Sequence, residues 1–322
     1  MSKAWRLRTP RSTWWKEYQQ TQTFDQFKCA VPFRPNTVSS IQVAIVGDEE
    51  LVARQMSLEQ ILKHVEVFMG FKVIQRGGLE NPMPRMRLSA AGQRTSVDGV
   101  PQIGAHYVLA FLQGFVDPRA ACTLAITPVD LYPPQHYDYV TGMTDPGDRL
   151  GLYSSARLYV DHLSTHRLSW GALADCVSDC VHLHQMVRSR RLELSKAFAK
   201  LLCRESLKLC GAQECSLLYC LMNPLPETDG HVPEAIAQLP FSLCCICLRK
   251  LQWLSQVDLL DRYSRIPPII NSWFFEEQIR KVPYCVSCQN ALFHIQYTYN
   301  TFTDTYIYIK YKNNDNLVIF VP

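Results

Sequence analysis

The chain has 322 residues, enough for one large domain or two small ones. Its 33 Lys and Arg against 29 Asp and Glu leave a net charge of +4, which is too small to indicate nucleic-acid binding by itself. No apolar run approaches the roughly 18 residues of a transmembrane helix. We therefore expect neither a nucleic-acid partner nor a membrane span.

The cysteines indicate the compartment and one kind of site. The N-terminal stretch "MSKAWRLRTPRSTWWKEY" is basic but lacks the apolar core of a secretory signal. Nine of the 13 cysteines stand at or after Cys203, a clustering that differs from a spread disulfide framework. Intracellular thiols stay reduced, so cysteines in CxxC spacing favour metal ligation. The sequence therefore predicts an intracellular protein, cytoplasmic or nuclear.

The first half of the chain alternates strand and helix patterns. Residues 1–40 are polar and are expected to form an irregular N-terminal arm. Apolar and β-branched runs predict strands at 41–47, 71–75 and 122–133 and a strand pair at 149–160, with helices at 57–70 and 104–115. This order predicts an α/β (α+β) protein built on a mixed twisted sheet.

The pattern then becomes helical. An apolar stripe predicts a helix over 193–210, and Gly211 suits the position just after a helix end. A cysteine-rich turn, a Pro-rich loop at 223–240 and a further helix over 244–265 follow.

The last segment, 266–322, has a different composition. Its stretch "YTYNTFTDTYIYIKYKNN" alternates with period two and predicts a hairpin of Tyr, Thr, Ile, Asn and Lys. These amino acids are encoded by AT-rich codons. Two interpretations of the segment are therefore equally open: an evolved structural element, or read-through of non-coding sequence. We expect truncation after Arg265 to cost little stability.

The stretch "CRESLKLCGAQEC" (203–215) has the spacing of a metzincin zinc helix, H-E-x-x-H-x-x-G-x-x-H. In that frame Arg204, Lys208 and Glu214 stand at the three zinc-ligand positions. Glu205 stands at the general-base position, and Gly211 matches the glycine. Only two positions agree, so this frame alone is weak.

The residues after this helix make the frame more specific. Cys215 and Cys220 follow in C-x4-C spacing, Met222 comes next, and Cys244 and Cys247 form a CxxC pair in "LCCICLRKLQ". This order resembles the archaemetzincin family, whose pattern runs H-E-x-x-H-x-x-G-x-x-H-C, x4-C, a Met-turn methionine and C-P-x-C-L-x-K-L-Q.

Three further segments resemble the same family: "TFDQF" (23–27), "ITPVDLYP" (126–133) and "GLYSSAR" (151–157). The resemblance spans roughly residues 20–263. It implies a zincin-like domain over 41–265 with an active-site helix, a zinc metallopeptidase function of the aminopeptidase type, and Met222 as the Met-turn residue. It also implies a structural zinc held in a four-cysteine knuckle by Cys215, Cys220, Cys244 and Cys247.

The chain departs from the family pattern at the catalytic metal. Protonated Lys and Arg have no lone pair to donate, and Arg204 and Lys208 face the same side of a helix. We expect Glu205 and Glu214 to neutralise these cations as ion pairs. The sequence thus predicts an idle Glu205, no catalytic zinc and no peptidase activity, with one structural zinc.

Three interpretations stay open. An altered metallopeptidase would use Glu205 as base and Glu214 as a ligand. A non-catalytic module would bind a peptide or an unknown protein partner in the groove beside residues 126–133, through an edge strand. An aberrant product would fold only in part. Two other sets, His182 with His184 and Cys285 with Cys288, are interpreted as incidental.

Overall fold

The computed structural model describes residues 22–76, 92–134, 137–158, 181–216, 218–225 and 232–279. Its strands are β1 (Ser40–Ile45), β2 (Lys72–Gln75), β3 (Gln93–Thr95), β4 (Pro101–Gly104), β5 (Ala120–Thr127), β6 (Asp130–Tyr132), β7 (Gly142–Asp145) and β8 (Leu150–Ser154). Its α-helices are α1 (Phe24–Ala30), α2 (Glu49–Gln55), α3 (Leu58–Met69), α4 (Ala105–Leu112), α5 (Val181–Leu209), α6 (Val232–Gln238), α7 (Cys245–Ser255) and α8 (Leu259–Ile279).

The main sheet has five strands in the order β2-β1-β5-β8-β7. The first four are parallel, and β7 runs antiparallel to β8 at the edge. Every residue of β1, β5 and β8 is buried, as expected for parallel strands that are covered on both faces. The predicted α/β class with a mixed sheet is confirmed.

A smaller sheet has the order β3-β4-β6, with β4 and β6 parallel. Strand β6 is its edge strand, but the backbone N–H of Val140 donates to the carbonyl of Leu131 at 2.9 Å on that side. Leu131 of this edge is therefore already paired. The peptide groove that we expected beside residues 126–133 stays a prediction.

Most helices pack in one core against the main sheet, whereas α4 packs in a second core with Leu131, Leu150 and Leu152. Helix α5 contacts α3, β5 and β8, and α8 contacts α3 and α5. Phe68, Phe198, Leu202 and Met222 are among the fully buried side chains of the first core. Among the described residues, no helix combines the length and the apolar character that crossing a bilayer requires.

Several elements differ from the sequence-based expectations. Residues Phe24–Ala30 of the expected irregular arm form α1, because Thr23 caps the helix and Phe27 is buried in the core. Strand β8 pairs with β7, which precedes it, and β7 lies outside the expected 149–160 pair. The expected helix over 244–265 is two helices, since Gln256 takes a left-handed conformation with φ of 55° and ends α7.

The long helix α5 begins at Val181, twelve residues before the expected start, so His182 and His184 lie within it. Helix α8 runs across the boundary expected at residue 265. Ile269 is buried in the core, so truncation after Arg265 would remove one core side chain, and the expected low cost of that truncation stays a prediction. The division into domains itself stays a prediction.

Cys285, Cys288 and the hairpin pattern of 297–314 lie outside the described residues.

A buried ion pair ties the small sheet to the segment after β8. The Asp130 side chain has no exposed surface, and its Oδ2 accepts from Arg157 Nη2 at 2.7 Å and from Gln102 Nε2 at 2.8 Å. Arg157 also contacts Asp98 at 3.1 Å, but the Asp98 side chain is 67% exposed. The same guanidinium therefore has one buried and one exposed partner.

We expect Asp130→Asn to lower the free energy of unfolding by about 3 kcal/mol, at the low end of the range for breaking a buried pair, because Asp98 still contacts Arg157. The matched control Asp98→Asn should cost less than about 1 kcal/mol, as exposed pairs do. Urea unfolding measures both. Equal losses in the two variants would contradict the assignment of Asp130 as the structural partner.

Candidate functional site

The end of helix α5 presents the residues of the zinc-helix frame. Leu201 and Leu202 pack into the core, and this orientation fixes where the following turn points. Arg204 and Glu205 lie in that turn and are both buried, while Lys208 one turn later is half-buried. The helix then ends at Leu209.

Gly211 reverses the chain after the helix. Its φ is +95°, a conformation that favours glycine, and a Cβ there would lie 2.7 Å from the Ala30 carbonyl oxygen. Its N–H donates to Lys208 O at 2.9 Å, and the next N–H donates to Leu207 O at 2.9 Å. The expected helix-ending role of Gly211 is confirmed, and the reversal brings Glu214 back to the helix.

The side chains at the zinc-ligand positions form an ion-pair cluster. The guanidinium of Arg204, whose side chain is 2% exposed, donates from Nη1 to Glu205 Oε1 and from Nη2 to Glu214 Oε1. Lys208 Nζ lies 3.5 Å from Glu205 Oε2 and 3.8 Å from Glu214 Oε1. The expected neutralisation of the two cations by the two carboxylates is thus confirmed.

This arrangement does not fit a divalent cation. Arg204 and Lys208 are cationic side chains that offer no lone pair to a metal. The two carboxylates already balance the two cations, so a dication would add an uncompensated charge. Oε1 of Glu205 accepts from Arg204 and Oε2 lies 3.5 Å from Lys208 Nζ, so this carboxylate lies between two cations.

Tyr153 of β8 belongs to the surroundings of this cluster. Its ring is 1% exposed, and burial raises the pKa of its phenol well above the usual value, with the negative charge of Glu205 acting in the same direction. A neutral phenol therefore stands beside the ion pairs. Tyr153 comes from the "GLYSSAR" segment, for which the sequence suggested no site role.

The second site is a cluster of four cysteines: Cys215, Cys220, Cys244 and Cys247. Their Sγ atoms all lie within 4.8 Å of one another, and all four residues are buried. Among the described residues, no other group of three or more His, Cys, Asp or Glu side chains is placed to hold a metal ion. The structure thus brings together the four cysteines that the sequence singled out.

The sulfur spacing fits a tetrahedral thiolate site. The Cys215 and Cys244 Sγ atoms are 3.7 Å apart, much longer than the roughly 2.05 Å of a disulfide. A zinc ion with Zn–S bonds of about 2.3 Å would place its sulfurs about 3.8 Å apart. The donor set and its spacing therefore fit zinc.

Local backbone structure orients these thiols. Cys220 Sγ accepts from the N–H of Met222 at 3.4 Å and from that of Cys244 at 3.3 Å. Cys244 is the N-cap of α7, and its Sγ accepts from the N–H of Cys247 at 3.5 Å. Since hydrogen bonds to a charged acceptor favour its charged form, these donors suit thiolates.

The four thiols influence each other's protonation strongly. Hydrogen bonds from Cys220, Cys244 and Cys247 hold the pKa of the Cys215 thiol far below its usual value. Hydrogen bonds to Cys215, Cys220 and Cys244 raise the pKa of Cys247 far above its own. Four buried thiols cannot all ionise side by side without a cation, which the ligand role of this cluster would supply.

Three buried polar residues near the cluster were missed by the sequence reasoning. Asn223 accepts from Cys220 N at 3.0 Å and donates to the carbonyls of Cys215 and Leu218, closing the C-x4-C loop. Lys250 donates from Nζ to Gln22 O and Oε1, both at 2.9 Å. Only the lysine of the family's C-P-x-C-L-x-K-L-Q pattern pointed to any of them.

Met222 is fully buried in the core. Its carbonyl accepts from the N–H of Cys215 at 2.7 Å, so it contributes to the cysteine loop through its backbone. Its part as a Met-turn residue stays a prediction.

Comparisons with known proteins support the family resemblance. No family model matches the chain. Archaemetzincin-2 of Homo sapiens is 30% identical over 172 residues, which cover 51% of this chain and 45% of that protein. Archaemetzincin-1 of Rattus norvegicus is 30% identical over 174 residues, covering 52% of this chain and 34% of that protein.

The chain thus matches less than half the length of these curated relatives. A crystal structure of archaemetzincin from Methanopyrus kandleri superposes with a TM-score of 0.42 and 18% identity, covering 69% of this chain and 97% of that one. Over about half of its length, the chain is similar to the archaemetzincins.

Proposed function

We propose that this chain is a non-catalytic relative of the archaemetzincin metallopeptidases that retains one structural zinc and binds a peptide or protein partner. The observation that carries the proposal is the Arg204 guanidinium, buried between Glu205 and Glu214 where the resemblance places zinc ligands. A positive charge held in this way takes the position of the metal. The general base then has no metal-bound water to deprotonate.

The structural zinc is supported by the cysteine cluster. Cys215, Cys220, Cys244 and Cys247 would hold the ion, which when bound would cross-link the loop after α5 to the start of α7. The thiols must be reduced for this, which fits an intracellular protein.

The partner-binding proposal depends on strand β7. This strand forms the antiparallel edge of the main sheet, and its residues are all half-buried. Among the described residues, only β8 pairs with it. Because Leu131 of β6 already pairs with Val140, β7 is the better candidate for an edge to which a peptide strand could add, here in the main sheet.

We expect purified protein to contain about one zinc per chain and expect Cys244→Ser or Cys247→Ser to lose it. Both variants should be strongly destabilised, because structural zinc contributes on the order of 10 kcal/mol to folding. Cys245→Ser is the matched control, since Cys245 is the exposed neighbour of both ligands. Metal analysis and thermal unfolding provide the readouts. Full zinc content in both ligand variants would refute the zinc centre.

We expect the triple variant Arg204→His, Lys208→His, Glu214→His to bind about two zincs per chain. It supplies three imidazoles in the metzincin frame and removes both cations from the site. Arg204→His alone is the control, which should stay at about one because Lys208 remains. A folded triple variant with one zinc would show that the frame over 204–214 is misplaced.

We expect no zinc-dependent peptide cleavage by the unmodified chain. An active site of this kind needs an open zinc position and a carboxylate that can accept the proton of bound water. Hydrolysis of short fluorogenic peptides, with and without a chelator, should be the same for the wild type and Glu205→Gln. Chelator-sensitive cleavage that disappears in Glu205→Gln would restore the chain to the working metallopeptidases.

A further inference from the structure

Lys250 is a buried cation whose ammonium is held by neutral oxygen atoms. It is 1% exposed, and its ammonium donates to two oxygens of Gln22. Within the part of the chain that the structure describes, no carboxylate forms an ion pair with it. Burial of an ammonium is costly unless an opposite charge lies nearby, so this lysine points to an anion.

The thiols of the cysteine cluster can provide that anion. Burial holds the pKa of Lys250 below its usual value, although the Cys247, Cys215, Cys244 and Cys220 thiols act in the opposite direction. Lys250 stands three residues after Cys247 in helix α7, on the same face. A zinc ion with four thiolates has a formal charge of about −2, since each ligand is deprotonated. The buried ammonium offsets part of this charge.

A second buried lysine provides the comparison. Lys200 is 7% exposed and donates to Ala237 O at 2.7 Å. Burial lowers its pKa to about 8, and the charges that act on it are those of Glu193 and Lys196. Lys200 thus resembles Lys250 in being buried and in donating to a carbonyl oxygen. The cysteines, however, are not among the groups that shift the pKa of Lys200.

We propose that Lys250 is the counter-ion of the four-cysteine zinc centre and sets its zinc affinity through its charge. This inference rests on the proposed structural zinc. Lys250 acts on the metal through its thiolates and is a positioning residue, because its own partners are the oxygens of Gln22.

Gln22 holds the ammonium in place and connects it to the helix end. Its Nε2 donates to Gly211 O at 2.9 Å, and its Oε1 accepts from Gln213 N at 3.1 Å as well as from Lys250. Gln213 precedes the ligand Cys215 by two residues. One side chain therefore joins Lys250 to the loop that carries the first thiol.

The experiment separates charge from hydrogen bonding. Lys250→Gln removes the charge but keeps an N–H donor for Gln22, Gln22→Met keeps the charge but removes the side-chain acceptor, and Lys200→Gln is the matched control. Zinc affinity of the full chain is measured by competition with a chromophoric chelator. We expect Lys250→Gln to lose about ten- to a hundredfold in affinity, the usual effect of losing a partner of the metal ligands. Gln22→Met should lose less than Lys250→Gln, and Lys200→Gln should match the wild type.

Wild-type affinity in Lys250→Gln would overturn the proposal, as would an equal loss in Gln22→Met and Lys250→Gln. If Lys250→Gln does not fold, Lys250→Arg is the deciding variant, because it keeps the positive charge and is expected to bind zinc. If Lys250→Arg also fails to bind zinc, a role based on charge is contradicted. Absence of zinc from the wild type, or its retention in Cys247→Ser, would instead refute the zinc centre itself.

Discussion

A guanidinium that is almost fully buried needs carboxylates around it, and the end of helix α5 is organised by this need. Arg204 receives one carboxylate from its neighbour Glu205 and the other from Glu214, ten residues later. Glu214 can reach it only because the chain reverses at Gly211, where the close Ala30 backbone leaves no room for a side chain. The same reversal delivers Cys215 to the cysteine cluster, so the ion pairs and the thiols depend on one turn.

The two sites have diverged in chemistry although they are adjacent in sequence. At the zinc-helix positions, charge balance is complete without any ligand, since two carboxylates face two cations. At the cysteine cluster, four buried thiols lie within 4.8 Å of one another, so the proposed zinc would supply their counter-charge. The two sites thus do not share charged partners.

Local pattern was sufficient for much of the fold. Strand β1 was recognisable as a short, fully buried β-branched run, and α3 was recognisable because its apolar stripe follows the helical period. The start of α5 was missed, since residues 181–192 lack the apolar stripe of the later turns. The continuation of α8 was also missed, because Pro267 and Pro268 are residues that usually end a helix.

For the candidate site, the sequence predicted those features that depend on residue type and on spacing along the chain. The paired charges follow from helical spacing, and the set of four cysteines follows from CxxC and C-x4-C spacing together with the family resemblance. The contacts of Gln22 could not be found in this way, since they join residues separated by 189 and 228 positions. Such hydrogen bonds leave no periodic trace in the sequence.

The ion-pair cluster also constrains how this protein can evolve. A return to the archaemetzincin pattern requires three substitutions, and each intermediate breaks a different balance of charge. Arg204→His alone leaves two carboxylates with only the more distant Lys208. Breaking a buried pair can cost about 3–5 kcal/mol, a large share of the roughly 5–15 kcal/mol that keeps a domain folded. The buried guanidinium therefore makes each single substitution towards a three-histidine site costly in folding free energy.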